Sequence, residues 1–174
     1  MINSDSIILT PLISDDIPVL FRWINDREIV LLNAPYKPVH ENLNKQWFDK
    51  IQERTDLVIF GIRHKDSNKL IGTCQLLNIN YISRSAELQI RIGQKSEQGL
   101  GYGTAAIHLL ISHAFKDLNL NRISVQVFST NVRALHVYEK IGFKKEGILR
   151  QAAYIDGQYS DIIVLGLIKA EYDR

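Results

Sequence analysis

Three glycines at alternating positions, Gly99, Gly101 and Gly103, stand between a segment with strand character and a segment with helix character. The first turn of a helix presents free N–H groups and a partial positive charge, so it binds phosphate readily. Glycine also lets a ligand approach the backbone closely and adopts dihedral angles that other residues avoid. The stretch Gln98–Thr104 is therefore either a phosphate-binding loop or a plain turn that contacts only its own sheet.

Two common phosphate-binding patterns do not fit these glycines. A Walker loop carries a lysine before its Ser or Thr, whereas Thr104 follows Gly103 directly. The dinucleotide pattern is G-x-G-x-x-G in an early strand–helix–strand unit, whereas the spacing here is G-x-G-x-G and follows several strand-like segments. A nucleoside triphosphate hydrolase and an NAD-binding domain are both disfavoured.

Asn131, Tyr138 and Glu87 are polar residues that could take part in a reaction near such a loop. Tyr138 follows Asn131 by seven residues, which is two turns of a helix, so the two side chains share one side. A tyrosine hydroxyl with a pKa of about 10 is protonated at neutral pH and can donate a proton. On spacing alone, Tyr138 is better interpreted as a packing tyrosine, and Glu87 could equally be a surface carboxylate or an ion-pair partner.

Helical signals dominate the first third of the chain, after an apolar segment that predicts a first strand. Ser14 is the predicted N-cap of a helix whose first turn carries two aspartates. Further on, an apolar residue recurs every fourth position from Leu43 through Trp47 to Ile51, which predicts a helix with one apolar side. We expect Trp47 to lie in the core.

Strand signals dominate the middle of the chain. Segments 57–63 and 69–79 flank a turn-rich stretch and predict an antiparallel hairpin. Residues 87–92 alternate between apolar and polar side chains, which predicts a strand with one buried face. Apolar spacing over 105–115 predicts a helix after the glycines, and 122–128 predicts another strand.

The last third of the chain predicts a helix and a long hairpin. Asn131 is expected to cap the helix, and Gly142 is expected to end it in a left-handed conformation. The hairpin is expected to turn at Asp156 and Gly157, a dipeptide that suits a type I′ turn. The order of elements predicts an α+β fold, a mixed and mostly antiparallel central sheet flanked by helices, in one domain spanning residues 1–174.

Composition narrows the class of protein. The net charge of +2 is not the strongly basic balance of a nucleic-acid-binding protein. Cys74 is the single cysteine and lies in an apolar run, so we expect a small buried side chain and no disulfide within the chain. The five histidines are scattered, so no metal is expected. Without a signal peptide or an apolar run of about 18 residues, we expect a soluble cytoplasmic protein that does not contact a membrane.

Two motifs in order, with a matching strand before them, carry a resemblance to a known family. The pattern Gln98-x-x-Gly101-x-Gly103 resembles the acetyl-CoA pyrophosphate loop of the GCN5-related N-acetyltransferase (GNAT) superfamily. Segment 131–143 is similar to the last motif of that superfamily, and segment 86–93 is similar to its central strand, which splays to admit the pantetheine arm. The chain resembles the branch that includes ribosomal-protein alanine acetyltransferases and spermidine/spermine N-acetyltransferases.

The resemblance implies an acetyl-CoA-dependent N-acetyltransferase in which a primary amine attacks the thioester directly in a ternary complex. It implies Tyr138 as the general acid that protonates the departing thiolate. The amine must also lose a proton, and Glu87, on the central strand before the loop, is the expected base, acting directly or through water. A backbone N–H of that strand could polarise the thioester carbonyl. The residues expected to bind acetyl-CoA are Gln89, Ile90, Arg91, Ile92, Gln98, Gly99, Leu100, Gly101, Tyr102, Gly103, Thr104, Asn131, Ala134 and Tyr138.

The acceptor site is expected to be built from about Trp23–His40 and Tyr154–Tyr159. The stretch 31–48 has Glu41 as its only carboxylate and also carries two lysines, which argues against a polyamine with several positive charges. A peptide N-terminus, an amino sugar or another small amine remain open. The aromatic residues of the two expected segments are interpreted as core and rim residues rather than as a pocket.

A second hypothesis is a non-catalytic domain that binds or senses acyl-CoA, because such a domain would keep the glycine loop. The presence of Tyr138 together with Asn131 favours the enzyme, since a domain that only binds has no need of an acid. A third hypothesis is an enzyme of the same fold that uses another acyl-CoA. By analogy with relatives that pair through edge strands, a homodimer is expected.

Overall fold

The computed structural model describes residues 1–172, which form one eight-stranded sheet with helices packed against it. The strands are β1 (Ile2–Asn3), β2 (Ile7–Thr10), β3 (Val58–His64), β4 (Leu70–Asn80), β5 (Ser85–Ile92), β6 (Arg122–Phe128), β7 (Lys144–Ile155) and β8 (Gln158–Ile168). The helices are α1 (Ile17–Asn25), α2 (Arg27–Val30), α3 (Glu41–Ile51), α4 (Tyr102–Ser112), α5 (Val132–Ile141) and α6 (Lys169–Tyr172).

The sheet is mixed and mostly antiparallel, as the order of elements predicted. Its strands lie in the order β1-β2-β3-β4-β5-β6-β8-β7. Every neighbouring pair is antiparallel except β5 and β6, which run parallel. The two predicted hairpins are present as β3–β4 and β7–β8. The prediction of an α+β fold is therefore confirmed.

The parallel pair β5–β6 is short, and this determines where a site can form. Its register begins with Ser85 opposite Arg122 and ends with Glu87 opposite Ser124. Beyond that point the strands diverge, and the C-terminal halves of both strands face each other across a gap. Because the strands are parallel, the start of α4 and the start of α5 lie at the same end of this gap.

Two apolar clusters hold the sheet and helices together. The larger cluster includes four buried residues of α4 (Ala106, Ile107, Leu110 and Ile111) packed on the sheet. The smaller cluster joins Leu20 and Trp23 of α1 to Ile29 of α2 and Leu70 of β4. Burial of each large aliphatic side chain stabilises the fold by roughly 1.5–3 kcal/mol. No helix within residues 1–172 is long and apolar enough to span a membrane.

Local backbone signals were predicted correctly at several turns. Asn131 caps α5, because its Oδ1 accepts a hydrogen bond from the Ala134 N–H at 3.1 Å. Gly142 ends α5 with a φ of 114°, and the final hairpin turns at Asp156 and Gly157 with φ values of 51° and 81°. The helix after the glycines begins at Tyr102, earlier than the expected residue 105.

The predicted N-cap at Ser14 is wrong. Residues Ser14–Asp16 form a short turn of 3-10 helix before α1, and the Ile13 N–H donates to the Asp16 carboxylate at 2.9 Å. Asp16 also forms a buried ion pair with Arg63 at 2.6 Å, in which the two side chains are 5% and 8% exposed. Asp16 rather than Ser14 therefore caps this turn, and its carboxylate also pairs with Arg63 of β3.

The placement of Trp47 in the core is also wrong. Its side chain is 40% exposed, and Leu43 on the same side of α3 is exposed as well. The inward side of α3 instead carries Asn44, which is buried and whose Nδ2 donates to the Ile17 carbonyl at 3.3 Å. The apolar side of α3 therefore faces away from the core.

Candidate active site

The gap between β5 and β6 opens into a cavity of about 870 Å³. Residues 88–92 of β5 form one side of the cavity, and residues 125–128 of β6 form the opposite side. The glycine loop and the start of α5 border it at the end where the strands diverge. The rest of the wall comes from α1, α2 and the segment after it, α3, and a few residues of β3, β4 and α4. A cavity of this size between diverging strands is suited to a long ligand.

The free edge of β5 presents backbone groups to the cavity. The Ile90 carbonyl accepts a hydrogen bond from Asn33 Nδ2 at 3.0 Å, and the Ile92 carbonyl accepts one from Gln98 Nε2 at 2.9 Å. Backbone groups alternate in direction along a strand, so the groups of Gln89 and Arg91 face β4 instead. Of the predicted stretch Gln89–Ile92, only Ile90 and Ile92 can therefore pair with a ligand through their backbone. Their N–H groups have no partner from β6, whereas their carbonyls are held by two amide side chains.

The glycine loop has the geometry of a close backbone approach. Gly99 and Gly101 have φ values of 86° and 88°, in the left-handed region that other residues rarely adopt. Gly101 is the N-cap of α4, so the first N–H groups of this helix are available beside the cavity. Gly103 needs no unusual dihedral angle, and a Cβ placed on it would meet only Ile92 Cγ1 at 3.7 Å. The absence of a side chain at Gly103 thus keeps space open for a ligand.

Side chains from β3 and α2 hold the segment that leads into the loop. Glu97 pairs with His64 Nε2 at 3.2 Å. Lys95 contacts the carboxylates of Asp26 at 2.9 Å and Glu28 at 2.7 Å. The hydrogen bond from Lys95 lowers the pKa of the Asp26 carboxyl. These contacts fix the approach to Gln98 before any ligand binds.

Arg133, in the first turn of α5, is a candidate phosphate ligand that the sequence did not single out. It lines the cavity, and its Nη2 would lie 3.3 Å from a Cβ placed on Gly99. Its side chain forms no ion pair among the described residues. An arginine beside helix N–H groups is suited to a pyrophosphate or phosphate.

Asn131 links α5 to the segment after α2. In addition to capping α5, it donates from Nδ2 to the Leu32 carbonyl at 3.3 Å. Asn131 borders the cavity, but both ends of its amide are already engaged by the protein. Its observed role is to fix the start of α5 and the position of Leu32.

Tyr138 is the most buried polar side chain of the cavity wall on α5. It is 5% exposed, and its ring packs edge-to-face on Phe143 with centroids 5.3 Å apart. Its hydroxyl forms no hydrogen bond within residues 1–172, and the residue lines the cavity, so the hydroxyl is available to a ligand. Burial raises the pKa of Tyr138 above its usual value, so the hydroxyl is a proton-bearing donor at all physiological pH values.

Glu87 lies at the point where β5 and β6 separate, and it does not line the cavity itself. Its Oε1 accepts a hydrogen bond of 3.4 Å from Gln89 Nε2, and Gln89 lines the cavity. Gln75 of β4 donates in turn to Gln89 Oε1 at 2.8 Å. Proton transfer from a bound amine to Glu87 would therefore need water molecules between them.

Most of the residues expected to bind acetyl-CoA are brought together around the cavity. Two of them are not part of its wall. Leu100 is 61% exposed at the tip of the loop. Tyr102 turns away and packs edge-to-face on His64 with centroids 4.8 Å apart. The backbone of the loop, rather than these two side chains, faces the cavity.

The wall opposite the glycine loop differs from the expected acceptor site. From the expected stretch Trp23–His40, six residues line the cavity in addition to Trp23: Ile24, Ile29, Leu32, Asn33, Ala34 and Val39. The expected stretch Tyr154–Tyr159 contributes none, and its two tyrosines pack edge-to-face on each other with centroids 5.0 Å apart. Instead, Leu43, Asn44 and Trp47 of α3 line the cavity. The apolar repeat in α3 already showed that Leu43 and Trp47 share one side of this helix, but that side was expected to pack in the core.

Neither a thiol nor a metal cluster is part of the wall. Cys74 is 1% exposed, and burial raises the pKa of its thiol, so it is unsuited to be a nucleophile. Within residues 1–172 no group of three or more His, Cys, Asp or Glu side chains could hold a metal ion. The expectation that no metal is required stays a prediction.

Replacing Gly103 by Ala tests whether a ligand approaches the loop closely. We expect the affinity for acetyl-CoA to fall at least tenfold, because the new methyl group occupies space beside the first N–H groups of α4. The free energy of unfolding should stay the same or rise by up to about 1 kcal/mol, since Ala has the better helix propensity. Calorimetric titration and thermal melts measure the two effects.

Gly147→Ala, at a position with open space around it, is the control. Unchanged affinity for acetyl-CoA in Gly103→Ala would contradict the close approach of a ligand to the loop.

Comparison with families of known proteins identifies the class of protein to which this fold and cavity belong. Residues 6–144 match the family model described as the acetyltransferase (GNAT) domain. The chain therefore belongs to the GNAT acetyltransferase family, and it is an N-acetyltransferase. The resemblance that the two motifs indicated is confirmed.

Individual relatives come from two groups of acetyltransferases. The chain is 33% identical to the spermidine N(1)-acetyltransferase of Vibrio cholerae over 162 residues, which cover 90% of each chain. It is 36% identical to the putative ribosomal N-acetyltransferase YdaF of Bacillus subtilis over 104 residues, covering 60% of this chain and 56% of that protein. The crystal structure of the V. cholerae spermidine enzyme in complex with CoA and spermine superposes with a TM-score of 0.90 at 29% identity, covering 98% of this chain and 100% of that one.

Proposed function

We propose that this protein transfers the acetyl group of acetyl-CoA to a primary amine by direct attack in a ternary complex. The observation that carries the proposal is the gap between β5 and β6, with the N-terminus of α4 and Arg133 at one end and the Tyr138 hydroxyl on its wall. The CoA complex of the V. cholerae enzyme, a structure of the same fold, supports acetyl-CoA as the donor.

The proposed roles follow from the position of each group. The N–H groups at the start of α4, together with Arg133, bind the pyrophosphate, and the N–H groups of Ile90 and Ile92 pair with the pantetheine carbonyls. The amine nitrogen bonds to the thioester carbon, and the C–S bond breaks. Tyr138 gives its hydroxyl proton to the departing sulfur, and Glu87 takes the proton of the amine through water. The buried thiol of Cys74 takes no part, so no acyl-enzyme forms.

The pH dependence of kcat tests the protonation state of Tyr138. Because burial raises the pKa of this hydroxyl above its usual value, Tyr138 should stay protonated as the pH rises. At saturating substrates, kcat should therefore show no alkaline loss attributable to Tyr138 between about pH 8 and pH 10. An alkaline loss in this range that disappears in Tyr138→Phe would contradict the assignment.

Two kinds of acceptor are supported by different observations. The relatives named as spermidine N-acetyltransferases favour a polyamine, contrary to the expectation from the sequence. The cavity of this chain favours an amine with fewer positive charges, because its only carboxylate within residues 1–172 is Glu97, which already pairs with His64. A polyamine with several ammonium groups needs carboxylates to replace its lost hydration.

Release of the CoA thiol across a panel of amines tests the proposed reaction. The panel contains spermidine, spermine, a peptide with a free N-terminus and an amino sugar, and mass spectrometry identifies the acetylated product. We expect release that requires both acetyl-CoA and one class of amine, with no acetylated protein in the absence of amine. Tight binding of acetyl-CoA without turnover on any amine would favour the sensing domain instead.

We also propose that the protein self-associates. The support is a dodecameric structure of the V. cholerae spermidine enzyme, which superposes with a TM-score of 0.83 at 28% identity. Sedimentation velocity at several concentrations would measure the mass of the assembly. A monomer at all concentrations would contradict this proposal.

A further inference from the structure

Arg91 is a partly buried cation in the cavity wall that the proposed reaction does not use. It is expected from the sequence to bind acetyl-CoA, but its backbone faces β4, so only its side chain can reach a ligand. That side chain forms no hydrogen bond and no ion pair among the described residues. Its Nε is the one buried side-chain nitrogen or oxygen within residues 1–172 that has no partner. Buried polar groups without a partner are rare in folded proteins, and the residue that carries this one is part of the cavity wall.

The side chain of Arg91 lies on the face of β5 that α1 covers. Alternation along a strand places it on the same side as Gln89, which bonds Gln75 of β4. Gly93 follows Arg91 by two residues and lies on the same face of the strand, and a Cβ on Gly93 would collide with the ring of Trp23 in α1. Arg91 therefore points into the part of the cavity between β4, β5 and the helices of the N-terminal third.

The phosphates of acetyl-CoA have their own partners at a different place. Arg133 lies beside Gly99, and the first N–H groups of α4 border the cavity there. The remaining charged residue of the described wall is Glu97, which is engaged by His64. In the region that Arg91 enters, no carboxylate balances its charge. Burial without a partner lowers the pKa of the Arg91 guanidinium, which reflects the cost of desolvating this charge.

We infer that the acceptor amine carries an oxyanion, a carboxylate or a phosphate, and that Arg91 binds this group. This inference rests on the proposed function and names the class of its acceptor. A guanidinium binds either anion with two parallel hydrogen bonds, and the two terminal nitrogens of Arg91, which have no partner among the described residues, would supply both. The anion would hold the acceptor by one end and leave its amine directed towards the thioester. Arg91 would also repel a polyamine from this region.

Matched pairs of acceptors test the inference, because the members of each pair carry the same primary amine with and without the anion. The carboxylate pair is threonine and threoninamide, and the phosphate pair is glucosamine 6-phosphate and glucosamine. For wild type we expect kcat/KM to be at least about tenfold higher for the anionic member of one pair, as hydrogen bonds to charged groups are worth that much. The pair that shows the advantage identifies whether the anion of the acceptor is a carboxylate or a phosphate.

Variants of Arg91 separate binding of the anion from a structural role. Arg91→Gln should remove the advantage of the anionic member, so kcat/KM should fall at least about tenfold more for the anionic member than for the neutral member, and more than the affinity for acetyl-CoA falls. Arg91→Lys should restore part of the advantage. Arg22→Gln, which removes the same charge from an exposed position on α1, should behave as wild type.

Three results would overturn the inference. The first is an equal loss for both members of a pair in Arg91→Gln, and the second is a rise in KM for acetyl-CoA alone. The third is a wild-type preference for spermidine over every anionic amine. If no amine is acetylated at all, the proposed function fails, and calorimetric titration of the same pairs into CoA-loaded protein still decides the inference. Arg91-dependent binding of an anionic amine would support it, and the absence of such binding would overturn it.

Discussion

Replacing Tyr138 by Phe is expected to lower kcat about a hundredfold or more and to leave the affinity for acetyl-CoA within about twofold. The hydroxyl is the only group that this change removes. It borders the cavity and has no partner among the described residues, so its loss breaks no contact within the protein. The ring remains packed on Phe143. The variant should therefore fold as wild type and should lack only the proton donor for the departing thiolate.

Tyr81→Phe is the matched control for Tyr138→Phe. Tyr81 lies in the turn between β4 and β5, is 58% exposed, and is outside the cavity wall. Steady-state kinetics at saturating amine and calorimetric titration with acetyl-CoA measure kcat and affinity for both variants. A kcat near the wild-type value in Tyr138→Phe would contradict the role of the hydroxyl. An equal loss of kcat and affinity would indicate a binding role.

Replacing Asp16 by Ala is expected to lower the free energy of unfolding by about 3–5 kcal/mol, because the buried guanidinium of Arg63 loses its counter-charge. The Arg63 Nη2 contacts both carboxylate oxygens of Asp16, at 2.8 and 2.6 Å. Thr10 Oγ1 accepts a hydrogen bond from Arg63 Nε at 2.9 Å, and the Asn68 carbonyl accepts one from Nη1 at 3.3 Å, so the network joins β2, β3 and the turn before α1. The melting temperature should fall by roughly 10 °C.

Asp15→Ala is the control for Asp16→Ala, since it removes the same charge from the adjacent exposed position. Its free energy of unfolding should change by less than about 0.5 kcal/mol. The double variant Asp16→Ala with Arg63→Met should be more stable than Asp16→Ala alone, because it no longer buries an unpaired cation. Chemical denaturation measures all three variants. A loss below about 1 kcal/mol in Asp16→Ala would show that the pair is not a major contributor to stability.

Several features that depend on neighbouring residues were predictable from the sequence, although the N-cap at Ser14 was not. The cap at Asn131, the left-handed Gly142 and the turn at Asp156 each depend on the dihedral angles and hydrogen bonds of a few consecutive residues. The glycine loop is local in the same sense. Together with the order of strands and helices, these signals were sufficient to predict the fold and one end of the site.

Features that depend on distant residues were not predictable. Asp16 and Arg63 are separated by 47 positions, and nothing in either segment indicates that they meet. The apolar repeat in α3 shows that Leu43 and Trp47 share a side, but it does not show whether that side meets the core or a cavity. For Arg91, the alternation of β5 gave the face of the strand. It did not show that α1 covers this face.

Calorimetric titration of the protein with acetyl-CoA tests the central claim most directly, because both the reaction and the acceptor inference require the cavity between β5 and β6 to hold this molecule. We predict one acetyl-CoA per chain, with an affinity that falls in Gly103→Ala and stays unchanged in Gly147→Ala. The absence of binding to wild type would contradict the claim, and the glycines would then form a turn that contacts only the sheet.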